Sequence, residues 1–526
     1  MNGYRMRPGP CEWGDSELGR AEDDPRLRIA PAVRVSDGNG LASGRGHPGF
    51  LEVGGRDLGA YSGPACDNRR PVIPTDATGE TAGAPSVTPA PKSAPSRAAG
   101  RDAGDPTRVR GRAAHSDTAR RPPARPGLSG LADGALEAWL EAEGQPAYRA
   151  RQIRDAVWRQ HAQTSEELLT LPAALRTRID EAFAMDTIAE DEVKVSDNGL
   201  TEKTLHLLAD GALIESVLMH YPARGFAGPS RPIHRERNTL CISSQAGCAV
   251  GCPFCATGEL GFGRDLETAE IVDQVRHAAR RLAPAGRHIT NVVFMGMGEP
   301  LLNLDRVLEA VAILSDPRQF GLGARHVVVS TSGVVPGIRR LTKLGPQFTL
   351  AVSLHAARDP LRDVLVPLNR RWPAAEVVAA ARDHAVATGR RVSYEYVMIS
   401  GVNDTDLDAD ALAMLLRGDL AHVNLIPMNP VAHTPWQASP PDRVAQFAAR
   451  VRHRGVGVTV RANRGQDAGA ACGQLAADRA GEPPAPAVAR RREAIVRQGE
   501  TALRGSRSTD SLPPDLAAAV RDREGS

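Results

Sequence analysis

Residues 239–255, TLCISSQAGCAVGCPFC, join a strand pattern to a cluster of cysteines. The apolar run TLCISS predicts a buried strand, and Cys248, Cys252 and Cys255 follow it with C-x3-C-x2-C spacing. Three thiolates this close can bind three irons of a cubane iron–sulfur cluster and leave the fourth iron open to a substrate. Zinc is the alternative, with Cys241 as a fourth thiolate, but structural zinc sites usually space two close pairs well apart. We therefore expect a 4Fe-4S cluster.

Downstream of the cysteines, the chain alternates between strand and helix patterns as far as residue 477. The strand-like apolar runs are TLCISS, NVVFM, HVVVST, FTLAVSL, VSYEYVM, VNLIPM and VGVTVR, with helix patterns between them. Continuous apolar strands separated by helices predict a parallel sheet with helices outside it. Right-handed crossovers would curve that sheet into a barrel or partial barrel. We therefore expect an α/β fold whose (β/α) barrel core covers residues 239–477, with the active site at the carboxyl ends of its strands.

Two smaller regions precede this core. Residues 128–187 have amphipathic helix patterns and predict a helical accessory domain. Four of its arginines form either an RNA-facing patch or a solvated helix face: Arg149, Arg151, Arg154 and Arg159. Residues 188–238 predict a hairpin and a basic loop. The pattern has a period of two over residues 188–221, with a hairpin turn signal at Asp210-Gly211, and the basic loop follows it.

The ends of the chain differ from the core in composition. Residues 1–127 are rich in Gly, Pro, Ala and Arg and have no hydrophobic period, while residues 478–526 form a polar tail. Such segments bury too little apolar surface to offset the entropy of the chain. We therefore expect a disordered arm at the N-terminus and a tail with little to pack against.

Composition also excludes several classes of protein. No run of about eighteen apolar residues predicts a membrane span, and the N-terminus lacks the apolar segment of a secretory signal, so we expect a cytoplasmic protein. The cysteines number seven, and four of them fall between residues 241 and 255, which disfavours a disulfide framework. The net charge of +3 permits a nucleic-acid partner without requiring one.

Further polar motifs fall where predicted strands end. They are GMGEP at 296–300, STSG at 330–333, SLH at 353–355 and Asn429 after VNLIPM. Each of them alone has an ordinary explanation, such as a glycine turn or a helix N-cap. Because all four fall at the carboxyl ends of strands of one barrel, together they predict a ligand site.

These motifs together resemble a known family. The cysteine spacing after the first strand of a β/α array resembles the radical S-adenosylmethionine (SAM) superfamily. Within it, QAGCAVGCPFCATGELGFGRDL, GMGEPLLN, VSTSGVVP, SLHA, IPMNP and AACGQL are similar to the RlmN-type adenine methyltransferases of 23S ribosomal RNA and tRNA. The resemblance covers about residues 128–477. It implies a 4Fe-4S cluster, two SAM molecules per turnover and SAM contacts from Gly298, Glu299, Ser330, Ser353, Leu354, His355 and Asn429.

The resemblance gives roles to two cysteines outside the cluster motif. Carbon 2 of adenine is electron-poor and cannot attack the methyl group of SAM, whereas a thiolate accepts a methyl readily. By resemblance, Cys472 would accept a methyl group from one SAM, and a second SAM would be cleaved to a 5′-deoxyadenosyl radical. That radical would take hydrogen from the S-methyl group, and the methylene radical formed would add to adenine. Cys241 would then resolve the adduct, leaving a Cys241–Cys472 disulfide for an electron donor to reduce. Without this context, an isolated cysteine is as often a small buried apolar residue.

The resemblance also implies a proton acceptor and RNA contacts. Glu215 fits the family's E-[ST]-V pattern and would be the acid–base residue, although it could instead be an outward-facing hairpin glutamate. The adenine must be extruded from folded RNA. Arg231, Arg235 and Arg237 in the basic loop, with the arginines of the helical domain, could hold phosphates, or they could simply form a solvated face.

Two other functions remain open at this stage. A related enzyme methylates carbon 8 of the same ribosomal adenine, confers antibiotic resistance and uses the same cluster and cysteine pair. The other alternative is a zinc-stabilised RNA-binding protein without catalysis. The sequences of the motifs favour the carbon-2 enzyme. We expect the protein to be a monomer.

Overall fold

The computed structural model describes residues 125–226, 232–431 and 434–476 and the isolated positions 490, 493, 494 and 497, without side chains at 224–226 and 232–234. Nearly all of the predicted arm and tail lies outside these residues, as does Arg231, so what was predicted for them stays a prediction. The last residues of the predicted arm do take part in the fold, since the Ala184 amide donates to the Pro126 carbonyl oxygen at 3.0 Å. The described fold therefore begins at residue 126 rather than at residue 128.

The helical region before the sheet contains three α-helices, which are α1 (Ala135–Ala142), α2 (Tyr148–Arg154) and α3 (Ala173–Ala182). A π-helical turn, Asp155–Arg159, continues α2. Arg154 does not belong to an exposed patch, because its side chain is 14% exposed and both Nη atoms contact the carboxylate of Glu137. Arg151, in contrast, is 87% exposed. Apolar side chains close the core of this region: Leu140, Ile153, Leu168 and Ile179.

The predicted hairpin is present and is part of a three-stranded antiparallel unit. Its strands are β1 (Ile188–Ser196), β2 (Thr201–Leu208) and β3 (Leu213–Tyr221). The turn between β2 and β3 contains Asp210 and Gly211, and Gly211 has a φ of 89° that favours glycine. Two short strands, β4 (Arg224–Phe226) and β5 (Pro232–His234), pair within the segment predicted as a basic loop.

The strands after this unit are β6 (Arg237–Cys241), β7 (Gln245–Gly247), β8 (Phe262–Asp265), β9 (Asn291–Phe294), β10 (Val327–Thr331), β11 (Thr349–Ser353), β12 (Val392–Met398), β13 (Ala421–Pro427) and β14 (Gly457–Val460). Strands β7 and β8 form a ladder of their own beside the cysteine motif. The others join β1–β3 in a ten-stranded sheet with the order β1-β2-β3-β6-β9-β10-β11-β12-β13-β14. From β6 to β14 all neighbours are parallel. The sheet does not close on itself, which confirms the predicted α/β partial barrel.

Helices cover the outside of the parallel strands. They are α4 (Ala256–Leu260), α5 (Thr268–Leu282), α6 (Leu304–Ser315), α7 (Val335–Leu344), α8 (Asp359–Leu365), α9 (Ala374–Thr388), α10 (Asp406–Leu415) and α11 (Pro441–His453). Strand residues such as Val292, Val327 and Val423 are fully buried beneath them, and burying each such side chain contributes about 1.5–3 kcal/mol. Within the described residues, no helix is both long enough and apolar enough to cross a membrane.

Candidate active site

The three motif cysteines lie on the loop between β7 and α4 and line a first cavity. This cavity has a volume of about 170 Å³, and its wall includes Cys248, Cys252 and Cys255. Gly247 has a φ of 79°, and a Cβ added there would come within 1.9 Å of the Gly261 carbonyl oxygen. Only glycine fits where β7 and β8 approach this closely, so the backbone around the cysteines is tightly constrained.

The donor set fits an iron–sulfur cluster better than a single zinc ion. Cys241, the fourth ligand in the zinc alternative, lines a different cavity from the other three cysteines. Across the part of the chain that the structure describes, no three Cys, His, Asp or Glu side chains converge closely enough to hold one metal ion. Each thiolate of a cubane binds a different iron, so these thiolates need not meet at one point.

The polar motifs at the strand ends reach the same first cavity. Six of the seven residues expected to contact SAM line it: Gly298, Glu299, Ser330, Ser353, His355 and Asn429. Leu354 does not, because it is fully buried, and its amide donates to the Glu395 carbonyl oxygen at 3.0 Å. The structure therefore brings the cluster motif and four separate strand ends together around one space.

Glu299 is held firmly at the edge of this cavity. It is 3% exposed, and its carboxylate accepts hydrogen bonds from the backbone amide and the hydroxyl of Ser332, both at 2.7 Å. Burial raises the pKa of Glu299, and these hydrogen bonds oppose that rise. Beside it, Gly298 has a φ of 99°, and a Cβ there would come within 2.5 Å of the Gln245 side chain. Ser332 and Gln245 thus support the motif; both lie within the motifs quoted above, but their contacts with Gly298 and Glu299 were not predicted from the sequence.

His355 is a neutral group in the wall of the first cavity. Its φ of 58° is unusual for a non-glycine residue, and its Nδ1 accepts a hydrogen bond from the Val397 amide at 3.1 Å. Burial, reinforced by the charge of Arg362, lowers the pKa of His355 to about 3. Arg362 was missed by sequence reasoning; it is fully buried and donates to the carbonyl oxygens of Leu354 and Ser332.

A second cavity of about 220 Å³ contains the other two cysteines that the structure describes, Cys241 and Cys472. Strands β3 and β6 form one wall, where Val217 pairs with Cys241. Cys472 lines both cavities, as do Asn429 and Arg461. Cys472 is therefore one of the residues at which the two spaces meet.

The loop that carries Cys472 is fixed by hydrogen bonds to the barrel. The Asn429 side chain donates to the Cys472 carbonyl oxygen at 2.9 Å, and Gln466 donates to Asn429 at 2.7 Å. The Ala256 amide, at the start of α4, donates to the Gly473 carbonyl oxygen at 2.7 Å. Asn429 thus positions Cys472 as well as lining the first cavity.

The two thiols of the second cavity differ in exposure. Cys472 is exposed to the cleft, whereas Cys241 is 8% exposed. Desolvation raises the pKa of both thiols, that of Cys241 to about 12, and the positive charge of Arg461 opposes both rises. Arg461 follows β14 directly and forms an ion pair with Glu395 at 3.2 Å. A polar residue at a strand end is the same kind of signal as Asn429, so the sequence could have indicated Arg461.

Glu215 is buried rather than facing outward. It is 1% exposed, and its Oε1 forms an ion pair with Nζ of Lys203 at 2.8 Å. Its Oε2 has no hydrogen-bond partner among the described residues. Glu215 lies two residues before Val217 on β3, so it shares a sheet face with the wall of the second cavity, without lining the cavity itself. The outward-facing alternative is therefore wrong, and Lys203 is a partner that only the register of β2 and β3 could reveal.

The arginines predicted in the basic loop take different places. Arg235 and Arg237 are exposed, and Arg237 is the first residue of β6 rather than part of a loop. Arg237 also lines the second cavity. Arg231 lies outside the described residues.

Comparison with known proteins assigns this arrangement to a family. The radical SAM superfamily model matches residues 242–413. A probable dual-specificity RNA methyltransferase RlmN from Frankia alni is 50% identical over 349 residues, which cover 65% of this chain and 80% of the relative. Its counterpart from Thermobifida fusca is 49% identical over 342 residues, covering 64% of this chain and 90% of the relative.

A solved structure of a radical SAM methyltransferase is also similar to this chain. The crystal structure of a radical SAM methyltransferase from Sphaerobacter thermophilus is 46% identical, with a TM-score of 0.64, and covers 67% of this chain and all of that one. The fold, the cysteine motif and this similarity over most of the relatives' length agree. The chain belongs to the RlmN family of radical SAM RNA methyltransferases.

Proposed function

We propose that this protein methylates carbon 2 of an adenine in RNA, using a methyl group carried on Cys472. The observation that carries the proposal is the position of Cys472, which lines both the cavity of the cluster motif and the cavity of Cys241. A group that must accept a methyl on one side and deliver it on the other needs access to both spaces.

The residues of the first cavity suit the cofactors of the superfamily. Cys248, Cys252 and Cys255 would hold a 4Fe-4S cluster through three irons, which leaves one iron for the amino acid part of SAM. When bound, the cluster supplies the electron that cleaves SAM reductively and so begins the radical chemistry. The strand-end residues around it, Ser330, Ser353 and Asn429 among them, would orient SAM. Two SAM molecules are consumed per turnover, one as methyl donor and one as radical source.

The thiol of Cys472 serves as the methyl carrier because adenine carbon 2 is not a nucleophile. A thiolate displaces the methyl group of SAM directly and keeps it as a thioether. Arg461, which lines both cavities, places a positive charge near this sulfur and opposes the rise in the pKa of Cys472. After a methyl hydrogen is removed, the carbon attached to Cys472 forms its new bond to carbon 2 of the adenine. The adduct then gives up its unpaired electron to a one-electron acceptor and loses the proton of carbon 2.

Cys241 and Glu215 complete the reaction. The Cys241 sulfur attacks the Cys472 sulfur, so the carbon–sulfur bond breaks as a sulfur–sulfur bond forms, and the released carbon gains a proton. A dithiol reductant then supplies two electrons to the Cys241–Cys472 disulfide. Glu215 accepts the proton lost from carbon 2; its burial and its unpartnered Oε2 suit an acceptor.

The substrates follow from the relatives, which are named as dual-specificity RNA methyltransferases. We assign 23S ribosomal RNA and tRNA to this chain on the family resemblance. The second cavity contains three arginines in its wall, which suits an RNA strand that delivers an extruded base. Methylation at carbon 8 is the second candidate, because the same pair of cysteines serves it.

Mass spectrometry of RNA from a gene-deletion strain tests the function and separates the two candidates. We expect 2-methyladenosine to disappear from 23S ribosomal RNA and tRNA and to return when the wild-type gene is supplied. A gene encoding Cys472→Ala is the matched control and should restore nothing. Loss of 8-methyladenosine, with 2-methyladenosine unchanged, would instead assign the chain to the carbon-8 reaction.

A further inference from the structure

We propose that Tyr221, Arg237 and Arg464 form a phosphate clamp at one end of the second cavity, which grips the RNA backbone next to the adenine. The inference rests on the proposed function, since it assumes an RNA substrate. It assigns two residues, Tyr221 and Arg464, that no motif indicates, and it gives Arg237 a defined geometry.

The pairing of β3 with β6 brings the first two residues of the clamp together. Tyr221 ends β3 and lies directly opposite Arg237 on β6. The guanidinium carbon of Arg237 lies 4.2 Å from the centre of the Tyr221 ring, and that of Arg464 lies 4.4 Å from the same centre. Arg464 also donates from Nη1 to the His220 carbonyl oxygen at 3.0 Å. One aromatic ring thus orders two guanidinium groups, so less side-chain entropy is lost when an anion binds.

The charges around the second cavity favour an anion. Its wall, as the structure describes it, contains three arginines and no carboxylate. Arg461 is ion-paired with Glu395, whereas a ring face and a carbonyl oxygen hold Arg464, and neither of these contacts neutralises its charge. Concentrated positive charge in a cleft attracts phosphate.

The position of the clamp matches the shape of a nucleotide. Val217 pairs with Cys241 at one end of the cavity wall, and Tyr221 pairs with Arg237 four residues along the same strand. At about 3.3 Å per residue, roughly 13 Å separates the thiol end from the arginine end. An adenine at the thiol end would therefore place its sugar and phosphate toward the exposed Arg237. The clamp would thus fix the distance between the RNA backbone and the adenine carbon that reacts.

Salt-dependent RNA binding tests the clamp. The probe is a fluorescein-labelled RNA stem–loop with a single loop adenine, titrated with the reconstituted holoenzyme over a range of KCl. Arg237→Ala and Arg464→Ala should each weaken binding roughly tenfold and reduce the slope of log affinity against log salt by about 0.7, the value for one phosphate of a single strand. The control is Arg339→Ala. Arg339 lies on α7 and its side chain is 61% exposed, so this variant should change neither the affinity nor the slope.

Variants at Tyr221 distinguish the effect of the aromatic ring on RNA binding from an effect on folding. Tyr221→Phe keeps the ring and should bind like the wild type, whereas Tyr221→Leu should lose affinity and salt slope together. Equal binding by the leucine and phenylalanine variants, or arginine variants with an unchanged slope, would overturn the clamp.

An RNA of the same sequence without the backbone charge next to the adenine tests whether the clamp binds phosphate. Methylphosphonate linkages on both sides of the adenine remove the backbone charge there. Wild-type binding should fall by more than about tenfold on this RNA, because both arginines lose their contacts. Arg237→Ala should fall by a smaller factor, because one of its two contacts is already absent. Equal loss in both proteins would overturn the proposal. Production of 2-methyladenosine by the wild type on the unmodified RNA is scored separately, so failure of the function and failure of the clamp give different results.

Discussion

The antiparallel strands β1–β3 and the parallel strands β6 and β9–β14 belong to one sheet but contribute to the site in different ways. The parallel strands contribute their carboxyl ends, where short polar motifs surround the first cavity. The antiparallel strand β3 contributes the face of a strand, through Val217, Met219 and Tyr221, to the second cavity, and its neighbour β6 contributes its face there as well. Strand ends are marked in a sequence by turns and glycines, whereas the residues that share a face depend on register. The lining of the first cavity is therefore readable as motifs, and that of the second is not.

The largest expected effect is on iron content, which tests whether the two cavities have separate functions. Cys252→Ala should lose the cluster, so anaerobic reconstitution should give little iron and no visible absorbance, against about four irons per chain for the wild type. Cys241→Ala is the matched control and should keep its iron, because Cys241 lines the second cavity only. If Cys241→Ala lost the metal as fully as Cys252→Ala, the two cavities would not be functionally separate.

The two thiols of the second cavity should fail in different ways. Cys472→Ala has no sulfur to carry the methyl group and should give neither product nor covalent RNA. In the Cys241→Ala variant, the methyl-derived carbon on Cys472 should still bond to the adenine. The adduct cannot then be resolved, because no second thiol reaches the Cys472 sulfur. We therefore expect a protein–RNA crosslink that survives denaturing gels, needs SAM and reductant, and is absent from the double variant.

The comparison that matters is between the two single variants. If both folded, bound iron and lost activity without any crosslink, the different roles of Cys241 and Cys472 would have no support. If the crosslink formed in Cys472→Ala instead, the two roles would have to be exchanged.

Sequence reasoning reached the two halves of the site to different depths. The α/β fold, the hairpin at Asp210-Gly211 and the gathering of the strand-end motifs followed from periodicity and turn residues. Leu354 was expected at the first cavity with its neighbours, but strand alternation turns it into the core. Lys203 and Tyr221 left no signal, since an isolated lysine or tyrosine in a strand is ordinary. Their partners, Glu215 and Arg237, lie 12 and 16 residues away in sequence and meet them only through strand pairing.

Removing Lys203 should have a large effect on stability in the antiparallel half. Lys203→Met would leave the Glu215 carboxylate buried without its charged partner, because both side chains are less than a tenth exposed. Breaking such a pair from one side costs about 3–5 kcal/mol in the free energy of unfolding, which chemical denaturation measures. Adding Glu215→Gln to Lys203→Met should recover part of the loss. As a control, Arg339→Ala breaks an exposed ion pair with Glu376 and should cost less than about 1 kcal/mol. Equal effects at the two sites would mean that the Lys203 pair is not held in the core.

The smallest expected effect lies where the two halves of the sheet meet α5. His277 on α5 is 6% exposed and contacts Asp186 at 2.7 Å and Glu190 of β1 at 3.5 Å. Burial alone would lower its pKa, but these two carboxylates outweigh burial and raise the pKa of His277 to about 9. The neighbouring ring of His206, 5.8 Å away, stays neutral because burial lowers its pKa to about 3.

Because the folded pKa of His277 lies above its ordinary value of about 6.5, the ion pair stabilises the fold fully below that pH. The stabilisation is lost as the pH rises through about 9, and the free energy of unfolding should fall by about 2 kcal/mol between pH 7 and pH 9. Cysteines exposed on unfolding also ionise in this range, so the useful quantity is the difference between the wild type and His277→Gln. The variant, which keeps a hydrogen-bonding side chain but no charge, should show the shallower dependence on pH. Parallel curves for the two proteins would mean that His277 is not charged in the fold, and that the contact of α5 with β1 depends on packing rather than on this ion pair.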